Sequence, residues 1–347
     1  MKIRNSILII GPLPGKNSRS IGGATLLMKT IIDELNKTGF EYDFIPLRKC
    51  WVRLGQIFDF PILGLILLFK GWRYRVVAIH ASWDFLFIAA PFIIPILKCY
   101  RTRLNIHAFG GHLHKRYNRL PSFYKWWLDI TVFSCDLLNF ETKEMVHFFK
   151  DVKKKNTVWF PNCRRSVKDK LEEKVYKKKF VFISRVIRYK GIYEILDVFK
   201  ELGDHLSVDF YGPISDYDFL LQINNVENIC YKGIVDPANV INVLQEYDVL
   251  LLPTYYPGEG YPGIIIEGFS IGIPVITTKW NSIPEIVDDG YNGLLIEPAN
   301  SECLRKAVLS INQANFDLMR SHAFESFNQF AIDKVIPEWL NDIEQLL

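Results

Sequence analysis

An apolar segment followed by a loop rich in glycine and proline is the feature that most constrains the fold of this chain. Residues 247–253 have the sequence Tyr-Asp-Val-Leu-Leu-Leu-Pro, which is typical of a parallel strand buried on both faces. The glycines and prolines within residues 257–262 predict a loop, and residues 263–271 predict a helix. Residues 274–277 predict the next buried strand. This order of strand, loop, helix and strand indicates an open parallel α/β sheet.

Two carboxylates lie on either side of the predicted start of this helix. Glu259 falls in the loop and Glu267 about one turn into the helix. The backbone amides near Gly263 and Ile264 have no acceptor within the helix, so they form a natural site for an anion. Acids beside such a site indicate a ligand with an anionic part and a hydroxyl-rich part, such as a nucleotide sugar. An ordinary strand-to-helix loop fits the same spacing, and spacing alone leaves both interpretations open.

A longer segment around the two glutamates resembles a known family. Residues 253–267 have the sequence PTYYPGEGYPGIIIE, followed by GIPVI at 272–276 and PEIVDDGYNGLL at 284–295. Together they resemble the donor-site signature of the retaining group 1 glycosyltransferases. The resemblance implies the GT-B fold, an α/β architecture in which two Rossmann-like domains with doubly wound parallel sheets face a central cleft.

The length of 347 residues suits two domains better than one. Residues 1–161 are predicted to form an N-terminal, acceptor-binding domain, 162–178 a polar linker, and 179–325 a C-terminal, donor-binding domain. The resemblance implies that a C-terminal helix at 326–347 packs back on the first domain. Alternating strand and helix patterns support both sheets. The predicted strands lie at 7–10, 76–80, 104–107, 132–139, 157–160, 180–184, 206–211 and 229–231.

Two basic residues follow the predicted first strand of the second domain, at the end where open α/β sheets bind ligands. The guanidinium of Arg185 and the ammonium of Lys190 could neutralise a diphosphate and stabilise the charge that builds up as it leaves. A solvated basic turn is the alternative. The resemblance favours the diphosphate site, and it implies that Glu259 faces the transferred sugar. Arg188 matches the family pattern less well and is left out.

The resemblance assigns further donor contacts. Glu267 should bind the ribose hydroxyls, which are good partners for a carboxylate, and the amides of Gly263 and Ile264 should meet the distal phosphate. The remaining donor-binding residues are predicted to border the reaction centre or to line the base pocket. Gly22 and Gly23 are predicted to border the reaction centre. The residues predicted to line the base pocket are Gly212, Lys232, Gly233 and Ile234.

His107 ends a predicted strand just before a Gly-Gly pair. The resemblance implies that it contacts the sugar or the acceptor, whereas a lone histidine at a strand end is otherwise a satisfied structural residue. His112 and His114 have no Cys or acidic partner at a useful spacing in the sequence, and Asp216 with Asp218 fits a polar loop or a helix cap. We therefore expect no metal site and no cofactor other than the donor itself.

The cysteines and the N-terminus indicate a cytoplasmic protein. The six cysteines form no C-x-x-C pair, which fits a reducing compartment. The apolar run near the N-terminus is too short for a signal peptide and predicts a first strand.

The net charge of +4 hides a strong asymmetry between the two halves of the chain. Residues 1–155 contain 24 Lys and Arg against 11 Asp and Glu, and residues 156–347 contain 18 against 27, so the halves carry +13 and −9. Charge asymmetry of this size indicates that the first half meets an anionic surface. On charge alone, nucleic acid and an anionic membrane both qualify.

Two apolar stretches favour the membrane over nucleic acid. Residues 58–69 and 85–97 are strongly apolar but shorter than the ~20 residues that span a bilayer. They could be core elements, but Trp and basic residues flank the first stretch, as in interfacial segments. The flanking residues are Trp51, Arg53, Lys70, Trp72, Arg73 and Arg75. We expect peripheral binding at the inner face of the cytoplasmic membrane and no binding of nucleic acid.

The predicted function is that of a retaining glycosyltransferase. It would move a sugar from a nucleotide-diphosphate sugar to a glycan or lipid-linked glycan acceptor, in the synthesis of a surface polysaccharide or glycolipid. A GT-B nucleotide-sugar epimerase and a non-catalytic nucleotide-sugar-binding subunit are the alternatives. The presence of Glu259, Arg185 and Lys190 disfavours the non-catalytic subunit.

Overall fold

The computed structural model describes residues 7–15, 22–47, 55–167, 169–224 and 226–347. These residues form two compact units. The first comprises the described residues up to Asn162 together with Asp333–Leu347, and the second comprises those of Cys163–Ile332. Within the described residues, each unit contains a six-stranded sheet whose neighbouring strands are all parallel. Trp51 and Arg53, predicted to flank an interfacial segment, lie outside the described residues.

The sheet of the first unit forms from buried apolar runs. Its strands are β1 (Ile7–Pro12), β2 (Asp43–Leu47), β3 (Val76–Ala81), β4 (Arg103–Ala108), β5 (Leu137–Phe140) and β6 (Thr157–Trp159). They are ordered β2-β1-β3-β4-β5-β6. Strands β1 and β3 are buried along their whole length, as expected for central strands covered on both faces. Strand β2 is only partly buried, and it is not predicted from the sequence.

Helices cover this sheet. They are α1 (Gly23–Thr38), α2 (Gly55–Lys70), α3 (Trp83–Ile88), α4 (Ala90–Cys99), α5 (Leu113–Asn118), α6 (Ser122–Ile130) and α7 (Lys143–His147). A glycine just after an amphipathic segment predicts a helix end at Gly39, and the structure confirms it: Gly39 has a left-handed φ of 70° and its N–H donates to the carbonyl of Leu35.

One predicted strand of the first unit is wrong over its first half. The sequence predicts a strand at 132–139, but Val132–Ser134 forms a 3-10 turn and the strand begins at Leu137. The hydroxyl of Ser134 lies 2.7 Å from the carbonyl oxygens of Ile130 and Thr131. These local bonds extend the end of α6 and compete with strand pairing.

The second unit repeats the architecture with a different strand order. Its strands are β7 (Lys179–Ile183), β8 (Ser207–Tyr211), β9 (Ile229–Gly233), β10 (Val249–Leu252), β11 (Val275–Thr278) and β12 (Gly293–Ile296). They are ordered β12-β11-β10-β7-β8-β9. The direction in which strands are added therefore reverses between β7 and β10. In open α/β sheets, ligands bind beyond the carboxyl ends of the strands at such a reversal.

The remaining helices complete the two units. They are α8 (Ile192–Leu202), α9 (Tyr217–Ile223), α10 (Val240–Gln245), α11 (Gly263–Phe269), α12 (Ser301–Ser310), α13 (Gln313–Ser326) and α14 (Ile332–Gln345). After its first residue, α14 belongs to the first unit.

The boundaries of the units differ from the predicted ones. The structure assigns the residues predicted as a linker, apart from Asn162, to the second unit, and the return to the first unit begins at Asp333 rather than at 326. Backbone pairing explains the difference. The N–H of Arg164 donates to Phe330 and its carbonyl accepts from Ile332, both at 2.9 Å, so the chain just past Asn162 is held in the second unit.

A pair of buried histidines lies in the core of the first unit. His80 of β3 and His107 of β4 are direct partners in the sheet, and their Nδ1 atoms are 3.0 Å apart. Neither side chain is exposed to solvent. The ring of Trp339 lies 5.2 Å from that of His80, and the ring of Phe160 lies 4.4 Å from that of His107. Burial lowers the pKa of His80 to about 3 and lowers the pKa of His107 well below its usual value.

The histidine pair predicts acid sensitivity of the fold. Both pKa values are lower in the folded protein than the unfolded value of about 6.5, so the unfolded state binds protons first as pH falls. The free energy of unfolding should therefore be highest above about pH 6.5 and fall toward pH 3, by up to about 1.4 kcal/mol per histidine per pH unit. Urea unfolding at pH 7.5, 6.5 and 5.5 measures this dependence.

The matched variants are His80→Phe/His107→Phe and, as a control, His205→Gln at an exposed histidine. The double variant should show a shallower fall in unfolding free energy with decreasing pH, and the control should keep the wild-type dependence. The same dependence in all three proteins would contradict the assignment to the buried pair.

Candidate functional site

The two loops that follow β7 and β10 meet at the strand-order reversal of the second unit. The N–H of Tyr255 donates to the carbonyl of Tyr189 at 2.8 Å, which joins one loop to the other. Gly191 permits this approach, since its φ is +79° and a Cβ there would lie 2.3 Å from the carbonyl oxygen of Pro253. A side chain at this position would therefore be excluded both by backbone conformation and by contact.

A buried ion pair joins the same two loops. The ammonium of Lys190 donates to Oε2 of Glu259, and the hydroxyl of Thr254 donates to the same oxygen at 2.9 Å. Lys190 and Glu259 are 6% and 8% exposed. Charges this far from water are stable only when they are paired and hydrogen-bonded, so each partner holds the other in place. Lys190 keeps further N–H donors, because an ammonium has three.

Tyr256 brings a second cation to this pair. The guanidinium carbon of Arg185 lies 5.0 Å from the centre of the Tyr256 ring, and Nζ of Lys190 lies 5.3 Å from it. Both distances fit cation–π contacts. Arg185 is exposed, in contrast to Lys190. Two cations and one carboxylate leave a net positive charge beyond the end of β7, which suits an anionic ligand.

Glu267 lies on α11, the helix predicted between two buried strands. Helix α11 has seven residues, begins at Gly263 and follows Pro262. Nε of Arg164 donates to Oε1 of Glu267 at 2.6 Å, and Nη1 of Arg164 donates to the carbonyl of Cys163 at 2.9 Å. The guanidinium thus holds the carboxylate in one orientation. The amides of Gly263 and Ile264 belong to the first turn of the helix, where N–H groups lack an intrahelical acceptor.

The residues predicted to line the base pocket lie together at the ends of β8 and β9. Gly212 has a φ of +132°, and a Cβ there would lie 1.9 Å from the carbonyl oxygen of Ser184, so only glycine fits. Its N–H donates to the carbonyl of Gly233 at 2.9 Å. Nζ of Lys232 lies 3.7 Å from the carboxylate of Asp209, and Ile234 is 65% exposed.

The other predicted site residues belong to the first unit. Gly22 caps the start of α1 and exchanges hydrogen bonds with the hydroxyl of Thr25, at 3.0 and 2.9 Å. A Cβ at Gly23 would meet nothing within 4 Å, so crowding does not require glycine there. His107 is fully buried beside His80, which supports the structural alternative. Roles for these three residues in binding stay predictions.

Three site residues are not predicted from the sequence: Arg164, Thr254 and Tyr256. Arg164 is 103 residues from Glu267 in the chain, and the sequence offers no sign of that pairing. Thr254 and Tyr256 lie inside the segment that carries the family resemblance, but their partners became evident only from the structure. Their contacts fix the orientation of the predicted residues.

The fold supplies an acidic partner that the sequence spacing did not show. Oε1 of Glu144, 30 residues further along the chain, lies 3.0 Å from Nε2 of His114, although no acid lies at a useful spacing in the sequence. Across the described residues, no group of three or more His, Cys, Asp or Glu side chains could hold a metal ion. Asp216 occupies the N-cap position of α9 and accepts a hydrogen bond from the hydroxyl of Tyr193 at 2.9 Å.

Comparison with known proteins finds a family match within the second unit. Residues 164–321 match the model of the family described as glycosyl transferases group 1. The match covers 158 of the 347 residues, a little under half of the chain. The matched residues include the ion pair of Lys190 and Glu259, the exposed Arg185, and Glu267 with its partner Arg164.

Curated relatives match over a similar length. A 41.2 kDa protein from the cps region of Klebsiella pneumoniae is 31% identical over 162 residues, which cover 46% of this chain and 41% of the relative. The capsular polysaccharide biosynthesis glycosyltransferase CapM of Staphylococcus aureus is 29% identical over 156 residues, which cover 40% of this chain and 39% of CapM. The chain therefore spans about two fifths of the length of these relatives.

Similar solved structures confirm the predicted GT-B fold class. Anabaena Alr3699/HepE in complex with UDP has a TM-score of 0.73 at 13% identity, with 98% of this chain and 100% of that chain covered. Sucrose-phosphate synthase of Thermosynechococcus elongatus has a TM-score of 0.77 at 14% identity, with 98% and 99% covered. At identities this low, the similarity shows the fold alone.

The buried pair predicts strong coupling between Lys190 and Glu259 in stability. Lys190→Met leaves a buried carboxylate without its cation, which should cost about 3–5 kcal/mol. Glu259→Gln should also destabilise the second unit. The double variant Lys190→Met/Glu259→Gln should lose clearly less than the sum of the two single losses, because neither charge is then left unpaired. Chemical denaturation of all four proteins measures the coupling.

Lys279→Met provides a matched control, since Lys279 pairs with Glu297 at 3.6 Å on the surface, with side chains 51% and 61% exposed. Its loss should stay within about 1 kcal/mol. Simple additivity of the Lys190 and Glu259 variants would contradict a buried, mutually dependent pair.

Proposed function

We propose that the protein is a retaining glycosyltransferase that moves a sugar from a nucleoside diphosphate sugar to a glycan or lipid-linked glycan acceptor. The observation that carries this proposal is the buried pair of Lys190 and Glu259 beside the exposed Arg185, within the residues that match the group 1 model and at the reversal of strand order. CapM is named for capsular polysaccharide biosynthesis, and the Anabaena protein was solved with UDP. The name of CapM supports a glycan product, and the UDP bound to the Anabaena protein supports a nucleotide donor.

The diphosphate would be bound by Arg185 and by the N–H groups of Lys190 that Glu259 does not use. As the bond between sugar and phosphate breaks, negative charge grows on the leaving phosphate. Cations that are fixed before the reaction stabilise that charge without having to reorganise. Lys190 is fixed by Glu259, and Arg185 lies over the ring of Tyr256. We expect the reaction to need no metal ion, because Arg185 and Lys190 would supply positive charge at the diphosphate.

Glu259 would orient the transferred sugar rather than attack it. Oε2 of this carboxylate already accepts hydrogen bonds from Lys190 and Thr254, which lowers its nucleophilicity. Retaining hydrolases use a free carboxylate as the nucleophile and form a covalent intermediate. Here the leaving diphosphate would instead help to deprotonate the acceptor, which then attacks the same face of the sugar.

Glu267 would bind the ribose through the carboxylate that Arg164 orients. A carboxylate only accepts hydrogen bonds, and ribose hydroxyls donate them. The ends of β8 and β9 would receive the base, where Gly212 and Gly233 keep the backbone free of side chains.

The diphosphate assignment predicts a large loss of turnover on removing Arg185. Arg185→Ala should lower kcat by roughly 100- to 1,000-fold, the scale for loss of one fixed donor to a developing charge. Arg188→Ala is the matched control, because Arg188 is exposed in the same loop but lies over Tyr193 instead. The control should keep turnover within a few-fold of wild type.

The assay first identifies donors by thermal shift with a panel of nucleotide sugars, since a ligand at a hundredfold its Kd adds about 2.7 kcal/mol. Release of nucleoside diphosphate is then followed with and without glycan acceptors, with EDTA present throughout. Full activity in EDTA and release that requires the acceptor are expected. Equal losses in both arginine variants, or conversion of the donor to its epimer without an acceptor, would contradict the proposal.

The ribose assignment predicts a different effect for Glu267. Glu267→Gln should weaken donor binding by about tenfold and change kcat little, because the ribose contact is the same in ground and transition states. Isothermal titration with the donor and with the free nucleoside diphosphate measures both affinities. Unchanged affinity for both ligands would show that Glu267 does not hold the ribose.

A further inference from the structure

Three neighbouring helices of the first unit expose rows of large apolar side chains. We call the surface formed by these rows the three-helix face. It comprises Ile62, Leu65 and Phe69 of α2 with Trp72 just beyond it, Ile88 at the end of α3, Phe92 of α4, and Phe123, Trp126 and Ile130 of α6. Each of these side chains is between 49% and 71% exposed. Single exposed apolar residues are ordinary, but a set this large on adjacent helices marks an interaction surface.

In α2 and in α6 the exposed apolar residues follow one side of the helix. The spacing in α2 and in α6 is three and then four residues, which places the members on one face. The opposite side of α4 is also apolar, and it buries Ile93, Ile94 and Leu97 against the core. A helix at the surface of a soluble protein normally turns a polar side outward. These helices instead present apolar residues on both sides.

The rows are continuous from one helix to the next. The ring of Phe92 in α4 lies 5.0 Å from that of Trp127 in α6. The hydroxyl of Tyr100, just after α4, donates to the carbonyl of Leu68 in α2. The three helices therefore lie side by side with α4 in the middle, and their exposed rows form one surface.

The exposed charge in this part of the chain is mostly basic. Residues 59–130 contain ten Lys and Arg but only three acids. Nine of the ten basic residues are exposed, whereas Asp59, Asp84 and Asp129 are all partly buried. A second copy of the chain would bring like charges together at such a surface. An anionic bilayer offers charge of the opposite sign together with an apolar interior.

We propose that the three-helix face binds the surface of an anionic lipid bilayer, with its apolar rows entering the interface and its basic residues at the headgroups. The sequence alone placed this contact in residues 51–75, and the structure extends it to α4 and α6. None of the described helices has the length and apolar content needed to cross a bilayer. The inference concerns binding and does not depend on the proposed transfer reaction.

Vesicle co-sedimentation in the absence of any nucleotide tests the proposal. The full chain is mixed with vesicles of phosphatidylcholine alone or with 30 mol% phosphatidylglycerol, at about 0.1 and 0.5 M salt. At low salt, binding to the anionic vesicles should be at least tenfold tighter than binding to phosphatidylcholine alone. It should weaken at high salt, because the attraction is screened beyond a Debye length. Absence of binding to anionic vesicles at low salt would overturn the proposal.

Matched variants test whether binding depends on the three-helix face or on exposed apolar residues anywhere on the protein. Phe69→Ser/Phe92→Ser/Phe123→Ser changes one residue on each helix, and these side chains are 64–71% exposed, so the fold should persist. Binding should fall at least tenfold. The control Leu221→Ser/Leu309→Ser/Leu318→Ser changes residues of the second unit that are 53–73% exposed and should bind like wild type. Equal binding by both triple variants would overturn the proposal.

Charge is tested by Lys70→Gln/Arg73→Gln, which should reduce the preference for anionic lipid several-fold while the apolar rows stay intact. Circular dichroism checks the fold of every variant, and sedimentation velocity reports self-association. The wild-type protein could form a dimer that the triple phenylalanine variant does not form, and bind both kinds of vesicle equally. That result would assign the surface to contact between copies and overturn the proposal.

Discussion

The candidate site depends on the buried ion pair between Lys190 and Glu259. Burying either charge alone would cost several kcal/mol, so the pair forms only if the loops after β7 and β10 are held at a fixed separation. Gly191 permits that separation, and Thr254 satisfies the same carboxylate oxygen. Once the loops are fixed, Tyr256 lies against both cations. The exposed Arg185 then provides a positive charge ready for an anion.

The two units use the same sheet architecture for different purposes. Beyond β7 and β10 of the second unit, the ion pair of Lys190 and Glu259 lies beside the exposed Arg185, within the residues that match the group 1 model. At the ends of β3 and β4 in the first unit, two neutral histidines are instead enclosed by aromatic rings. The outer surface of the first unit is basic and apolar. The candidate site therefore lies in the second unit, and the exposed apolar and basic surface lies in the first.

Local sequence patterns predict the elements well and their long-range contacts poorly. Continuous apolar runs predict the central strands, and Gly39 predicts the end of α1. The resemblance singles out Lys190 and Glu259 separately, but nothing in the sequence shows that these residues, 69 positions apart, bind each other. His107 is expected at a sugar, yet it is buried by neighbours that include Trp339 from the far end of the chain. Apolar runs such as that of α4 also conceal which side faces the core, because both sides are apolar.

A crystal structure of the complex with a non-transferable nucleoside diphosphate sugar tests the central claim most directly. The account predicts diphosphate oxygens within hydrogen-bonding distance of the side chains of Arg185 and Lys190. It also predicts the sugar beside Glu259 and the ribose at Glu267, with the ion pair between Lys190 and Glu259 retained. A diphosphate bound away from both cations, with the ion pair unchanged and remote from the ligand, would contradict the account.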